Sequence, residues 1–200
     1  MIPKEPKPAA TVVLVRESRD DIEVLMLLRD RNLAFNASSW VFPGGKIDPR
    51  DYHPDHSDKQ ALEYRAARRA AVRETHEEAG IELVHEHLIH TAHWTTPEHL
   101  PLRYSTWFFL CPIYHPVEVT VDDCEIRDYR WIRPATALTE IESRQLKVPH
   151  PTRVTLRDLL EYSTIEQVLA GIAQQDIRVF PENSPHYRPS EMGVQDVPIK

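Results

Sequence analysis

Residues 73–81 read RETHEEAGI, and this stretch decides how the rest of the chain is read. The segment before it is rich in Ala and free of Gly and Pro, which reads as helix, and Gly80 stops that helix. Residues three and four apart share one helix face, with Cβ atoms roughly 5–6 Å apart. Glu74, Glu77 and Glu78 therefore form one acidic corner, and Arg73, one turn before Glu77, can pair with it. Acidic groups at a helix C-terminus oppose the macrodipole, so the placement costs stability and asks for a reason. A solvated helix end is the bland explanation. The alternative is a hard divalent cation such as Mg²⁺ or Mn²⁺, which takes carboxylate oxygens, water and substrate phosphates.

The pattern continues upstream in WVFPGGKIDPRD, residues 40–51. Gly44 and Gly45 read as a turn that lets backbone pass close to a phosphate. Together the two stretches resemble the box of the Nudix hydrolase family. That box runs Gly, five residues, Glu, seven residues, then Arg-Glu-apolar-any-Glu-Glu-any-Gly-apolar. Arg73, Glu74, Glu77, Glu78 and Gly80 fill every fixed position of its second half, with Thr75 and Ile81 in the apolar places. The first half starts at Gly45 and ends on Asp51 in place of Glu. Residues 52–72, 21 in all, stand where the pattern has seven, an insertion of 14 that leaves the role of Asp51 open.

The bulk properties agree with such an enzyme. Two hundred residues suit one domain with a sizeable core. A net charge of −7 argues against a sequence-independent nucleic-acid binder. Cys111 and Cys124 give no disulfide framework and read as apolar filler in strands. No apolar run reaches membrane-spanning length, and MIPKEPKPAA lacks the core of a signal peptide. The final Pro-Ile-Lys is not a peroxisomal tripeptide, and cytoplasm is the expected location.

The elements follow in order. TVVLV (11–15) and IEVLMLL (22–28) flank a polar turn and predict a hairpin. Trp40–Phe42 is a short strand. Ser57 with Gln60 makes a capping box for a helix from about Asp58 to Ala79, so most of the insertion lengthens that helix. His53 and His56, on the preceding loop, read as solvated rather than as ligands. Residues 82–102 form a connector. Strands are expected over 105–114, over 117–121 and up to Ile132, then a short helix over 134–141. Thr152 is expected to cap a helix to about Tyr162, and Thr164 with Gln167 one to about Gln175. Their apolar residues suit packing on the main body or on a second subunit in a homodimer. The tail after Phe180 is rich in Pro and polar residues, with little to bury.

The fold expected is α/β, and the resemblance implies an α/β/α sandwich with a mixed β-sheet. It covers about residues 10–142 of a single domain, followed by a helical extension (150–176) and a Pro-rich tail (181–200). It also implies metal-dependent hydrolysis of a diphosphate in a nucleoside diphosphate derivative, with no nucleic-acid or membrane partner. On the matching positions Glu74, Glu77 and Glu78 would meet the cation together with the Gly45 backbone. Arg73 would orient a carboxylate. The base would lie either in the box or on a later loop, where Glu125, in DDCEIRDYRW beside Asp122 and Asp123, is the candidate unless those three acids only form a turn. Arg29, Arg31, Gly44, Gly45 and Arg103 are the substrate-binding candidates, with Arg29 and Arg31 equally readable as surface charge.

RNLAFNASSWVFPGG (31–45) and HWTTPEHLPLRYSTWFFL (93–110) resemble, more narrowly, the coenzyme A and acyl-CoA diphosphatase-like branch. That branch favours Arg-aromatic-Asp-Thr-any-Phe-Phe, where this chain has Ser105 in place of the Asp. Trp94, Tyr104 and Trp107 offer flat faces to such a substrate, or belong to the core. The same box serves hydrolases of nucleotide sugars, ADP-ribose and dinucleoside polyphosphates, and a non-catalytic ligand-binding module is the remaining class.

Overall fold

The computed structural model describes residues 4–33, 35–52, 63–189 and 191–192. The chain runs β1 (Lys7–Ser18), β2 (Asp21–Arg29), β3 (Trp40–Val41), β4 (Gly44–Lys46), α1 (Glu63–Ala79), β5 (Ile89–Thr95), β6 (Tyr104–Ile113) and β7 (Ile126–Ile132). It continues through α2 (Pro134–Glu142), α3 (His150–Asp158), α4 (Ile165–Ile172) and β8 (Arg178–Phe180). The strands form one mixed sheet in the order β3-β2-β1-β6-β5-β8, with β4 also on β1 and β7 also on β2. β1 pairs in parallel with β6, as β5 does with β8, and the other pairs are antiparallel.

Alternation along β1 divides the core. Val12 and Leu14 face one side, where they meet Ala66, Ala67, Ala70 and Ala71 of α1. The Ala stripe carries no bulk beyond Cβ, so the helix lies close on the sheet. Val13 and Val15 face the other side, where Ala137, Leu138, Leu156, Leu159, Ile165 and Val168 of the later helices cover them. Each fully buried Val or Leu contributes about 1.5–3 kcal/mol. Helices on both faces make the α/β/α sandwich expected from the sequence.

β1 also creates the opening that holds the candidate site. Its C-terminal half, from Val15, pairs with β2, whereas Ala9–Thr11 pair with β4. The sheet forks there, with Arg29 at the end of one branch and Gly44 and Gly45 on the other. The two glycines thus lie in a short strand rather than a turn. α1 ends above the fork. Gly80 takes the left-handed conformation (φ +69°), its N–H donating to the His76 carbonyl, and Thr120 N–H then satisfies the Ala79 carbonyl.

Several sequence expectations need correction. Residues 117–121 form no strand; Val119 is buried, but Thr120 spends its N–H on the end of α1. The 82–102 connector contains β5, whose pattern is hidden by two inward histidines, His90 and His93. Cys111 is buried in β6, while Cys124 is exposed on a loop. Pro149, not Thr152, is the N-cap of α3, and Thr152 is buried inside it. The Thr164 hydroxyl does accept from Gln167 N–H at 3.2 Å. The tail is not bare: Tyr187 stacks on His93 with ring centroids 4.7 Å apart, Met192 is buried, and the Met192 carbonyl accepts from Tyr64 N–H. The Ser57 capping box, His53 and His56 lie outside the described residues.

Candidate active site

The last two turns of α1 deliver Arg73, Glu74, Glu77 and Glu78 to the fork. Thr75, in an apolar place of the motif, is fully buried and returns its hydroxyl to the Ala71 carbonyl at 2.8 Å. Glu78 is 4% exposed. Its Oε2 accepts from Gly44 N–H at 2.9 Å, and its Oε1 lies 3.7 Å from Arg29 Nη1. Gly45 is fixed by sterics: a Cβ there would sit 2.4 Å from the Glu74 carboxyl carbon. A Cβ on Gly44, at φ +152°, would sit 2.3 Å from the Ala10 carbonyl oxygen. The close approach read from the Gly-Gly pair is thus made to two carboxylates.

Arg73 is the hub. Its Nη1 donates to Glu74 Oε1 at 2.7 Å and Glu77 Oε2 at 2.9 Å, and its Nη2 to the Lys46 carbonyl at 3.1 Å. The other edge of the guanidinium meets Asp51, Nε to Oδ1 at 3.1 Å and Nη2 to Oδ2 at 2.8 Å. These partners hold the guanidinium well above its ordinary pKa, the Asp51 bond first among them. Asp51 reaches Arg73 through one 3-10 turn, Pro49–Asp51, in which its carboxylate also accepts from Asp48 N–H. Arg69 donates to the Asp51 carbonyl at 2.6 Å. Sequence reasoning left Asp51 open; the signal was its place six positions after Gly45, which the insertion obscured.

The electrostatics of the acids differ. Burial pushes the Glu78 carboxyl up to about 8, with the charges of Glu74 and Glu125 adding to it and Gly44 N–H and Arg29 opposing it. Burial also raises Glu74, against the pull of Arg73. Glu77 turns outward, between Arg73 and Arg50 (Nη2 to Oε1, 3.0 Å). Among the described residues no three His, Cys, Asp or Glu side chains form a ready cage for a metal ion. The donor set still fits a hard divalent cation. Glu78 is a buried and Glu74 a half-buried oxygen donor, burial raises both carboxyls, the Gly45 notch seats Glu74, and such ions complete their shell with water and phosphate oxygens.

Glu125 stands at the mouth, 58% exposed, with Oε2 3.7 Å from Arg29 Nη2. Asp122 organises that loop, its Oδ1 accepting from the N–H groups of Cys124, Glu125 and Ile126. Arg29 thus joins the acids, and Arg31 lies exposed in the turn beyond it. Arg103 belongs elsewhere. It is 5% exposed and donates to the carbonyls of Thr96 (3.1 Å) and Lys4 (2.6 Å), so it pins the N-terminal arm and is withdrawn as a substrate contact. Of the three aromatic candidates, Trp107 is fully buried with its Nε1–H on Glu63, and Trp94 stacks on Phe180 at 3.7 Å. Tyr104 alone is near the fork, its ring 4.9 Å from Phe35, whose carbonyl accepts from Arg29 Nε.

Comparison with known proteins places this geometry. The model of the NUDIX domain family matches residues 5–150. An acyl-coenzyme A diphosphatase of Xenopus laevis is 22% identical over 81% of this chain and 66% of its own. A putative nudix hydrolase of Caenorhabditis elegans is 25% identical over 72% and 57% respectively. The chain therefore spans somewhat less than two thirds of the length of these curated relatives. Among solved structures, a NUDIX hydrolase from Alicyclobacillus acidocaldarius superposes with a TM-score of 0.71 at 24% identity, over 84% of this chain and 96% of that one. The NUDIX domain of NrtR from Shewanella oneidensis, solved with ADP ribose, gives 0.56 at 16% identity, over 79% and 88%. These likenesses show the fold.

Proposed function

The chain belongs to the Nudix family, a family of hydrolases, and on that premise we propose that it cleaves the diphosphate linkage of a nucleoside diphosphate derivative with a divalent cation, Mg²⁺ or Mn²⁺. The observation that carries this reading is the buried Glu78 carboxyl, set between Gly44 N–H and Arg29 at the fork of the sheet. A carboxyl pushed up to about 8 by its surroundings is a poor surface charge and a good partner for a cation.

In this reading Glu74 and Glu78 hold the cation, with the Gly45 backbone alongside. The bound ion neutralises phosphate charge and lowers the pKa of water near neutral pH. Arg73 acts through others. Braced by Asp51, it fixes the Glu74 and Glu77 carboxylates in place, a geometry that needs the guanidinium fork. Arg29 binds the phosphates. Glu125, exposed and beside Arg29, takes the proton of the attacking water as its oxygen bonds to phosphorus and the bridging P–O bond breaks. Arg31, on the exposed turn, meets the outer part of the substrate.

The finer reading is coenzyme A or an acyl-CoA, cleaved to 3′,5′-ADP and a 4′-phosphopantetheine product. The name of the Xenopus relative and the stretches 31–45 and 93–110 support it. Phe35 and Tyr104 are half-buried, and Phe35 holds Arg29 through its carbonyl; the pair supplies apolar surface there, while Trp107 is lost to the interior and Trp94 is stacked on Phe180. We further propose one Nudix domain for the whole chain, since β8 joins the same sheet and Met192 the same core as α1. No helix among the described residues is long and apolar enough to cross a membrane.

The test is kcat/KM with Mg²⁺ and Mn²⁺ for coenzyme A, an acyl-CoA, ADP-ribose, NADH and a dinucleoside polyphosphate, with products identified by mass. Coenzyme A or its acyl form should lead. If another compound leads by more than about tenfold, roughly 1.4 kcal/mol in transition-state binding, the coenzyme A reading falls and the diphosphatase reading stands. No metal-dependent product from any of them would end both.

A further inference from the structure

Arg73 and Arg29 both reach the acid site, and their geometry is opposite. Arg73 meets the carboxylates of Asp51, Glu74 and Glu77 at 2.7–3.1 Å and is locked. Arg29 touches two carboxylates and bonds neither. Its Nη1 is 3.7 Å from Glu78 Oε1 and its Nη2 is 3.7 Å from Glu125 Oε2, both beyond hydrogen-bond length. The hydrogen bond it does make is at the root of the guanidinium, Nε to the Phe35 carbonyl at 3.3 Å. The two Nη groups therefore lie between an acid on α1 and an acid on the loop before β7.

We propose that Arg29 is a resident counter-ion, holding between Glu78 and Glu125 the charge that a divalent cation brings, and that it turns to a substrate phosphate once the cation is bound. This rests on the reading of Glu78 as a cation ligand. The physical reason is simple. Glu78 is buried, and the Arg29 guanidinium lies 3.7 Å from its carboxyl and from that of Glu125 at once, on the side open to the mouth. A guanidinium and a divalent ion cannot both keep that place, because like charges at a few ångströms repel strongly in a half-buried site. The loose pairing leaves the Nη groups able to turn, and the Phe35 tether keeps them at the mouth, where a phosphate accepts them in charge-assisted bonds. The two roles conflict in sign: the side chain that opposes cation binding is the one that assists substrate binding.

The experiment measures Mn²⁺ affinity by calorimetry without substrate, and KM at saturating Mn²⁺, for the wild type, Arg29→Gln, Arg29→Lys and Glu78→Gln. Thermal unfolding checks that each is folded. Arg29→Gln should bind Mn²⁺ at least about tenfold more tightly than the wild type, and its KM should rise by a similar factor. Arg29→Lys, which keeps the charge and loses the fork, should leave Mn²⁺ affinity near wild type and still raise KM. An Arg29→Gln protein that binds Mn²⁺ no more tightly, while Glu78→Gln loses binding, overturns the counter-ion and leaves the cation site standing. Mn²⁺ binding that does not depend on Glu78 overturns both.

Discussion

Asp51 and Arg73, 22 positions apart in the chain, meet in a two-point ion pair, with contacts of 3.1 and 2.8 Å. The whole insertion between them is thereby spanned by one side-chain contact, and the first half of the motif is tied to the second. Asp51 is 4% exposed, so the pair sits in the protein rather than on it.

This changes the expectation for Asp51. Read from sequence, the insertion leaves the role of Asp51 open, and a loop of that length need not hold it beside the acids, so Asp51→Asn is expected to cost less activity than Glu78→Gln. With Arg73 as its partner, Asp51→Asn leaves a half-buried guanidinium short of its main counter-charge. Removing one member of such a pair costs on the order of 3 kcal/mol. Urea unfolding should show that loss, and kcat should fall with it as Glu74 and Glu77 lose their anchor. Unchanged stability and turnover would show the contact to be idle.

Glu78 and Glu74 give a prediction with two signs. Glu74→Gln and Glu78→Gln should each lower kcat by at least about a hundredfold, the scale of a lost electrostatic stabiliser. Without a divalent cation, Glu78→Gln should be no less stable than the wild type and more stable at high pH. Glu78 is raised from 4.5 to about 8 in the folded state. The folded protein therefore holds that proton more tightly than the unfolded chain, and wild-type stability falls as pH climbs through this window. Thermal melts from pH 5 to 9 should show that slope in the wild type without cation, and none of it in Glu78→Gln. Near wild-type turnover in both variants would remove these acids from the site.

His90 and His93 act in the opposite direction. Both are buried on β5, and neither Nδ1 has a hydrogen-bond partner among the described residues. Burial pushes His90 down to about 4 and His93 down to about 3. The unfolded chain takes up these protons first, so stability is full above about pH 6.5 and drains away as pH falls towards 3. His93→Gln, which keeps a polar group near the Ser105 hydroxyl, should flatten part of the acid limb of the stability curve. A limb that keeps its full slope would assign the acid sensitivity to other groups.

What the sequence disclosed follows from what is local. Arg73 to Gly80 was legible because helix spacing sets Arg73 on Glu77, and a glycine in the left-handed conformation ends the turn. The hairpin was legible from its alternation and polar turn. Residues 117–121 misled because β-branched side chains report a buried extended backbone, whether or not a ladder forms beside it. β5 escaped notice since histidine does not read as core until its partners, Ser105 and Tyr187, are in place. Arg103 looked like a phosphate ligand in the motif and proved to be a strut, because only the folded chain brings Lys4 against Thr96.

Tyr64 donates its backbone N–H to the carbonyl of Met192. That bond ties the segment of α1 that precedes Glu74 and Glu78 to a residue made more than a hundred positions later. During synthesis on the ribosome, α1, the sheet fork and the loop bearing Glu125 are all available before that partner exists. The acid-bearing helix therefore reaches its full frame only after translation has passed residue 192. A nascent chain stalled after α4 would present the complete motif in an unfinished protein.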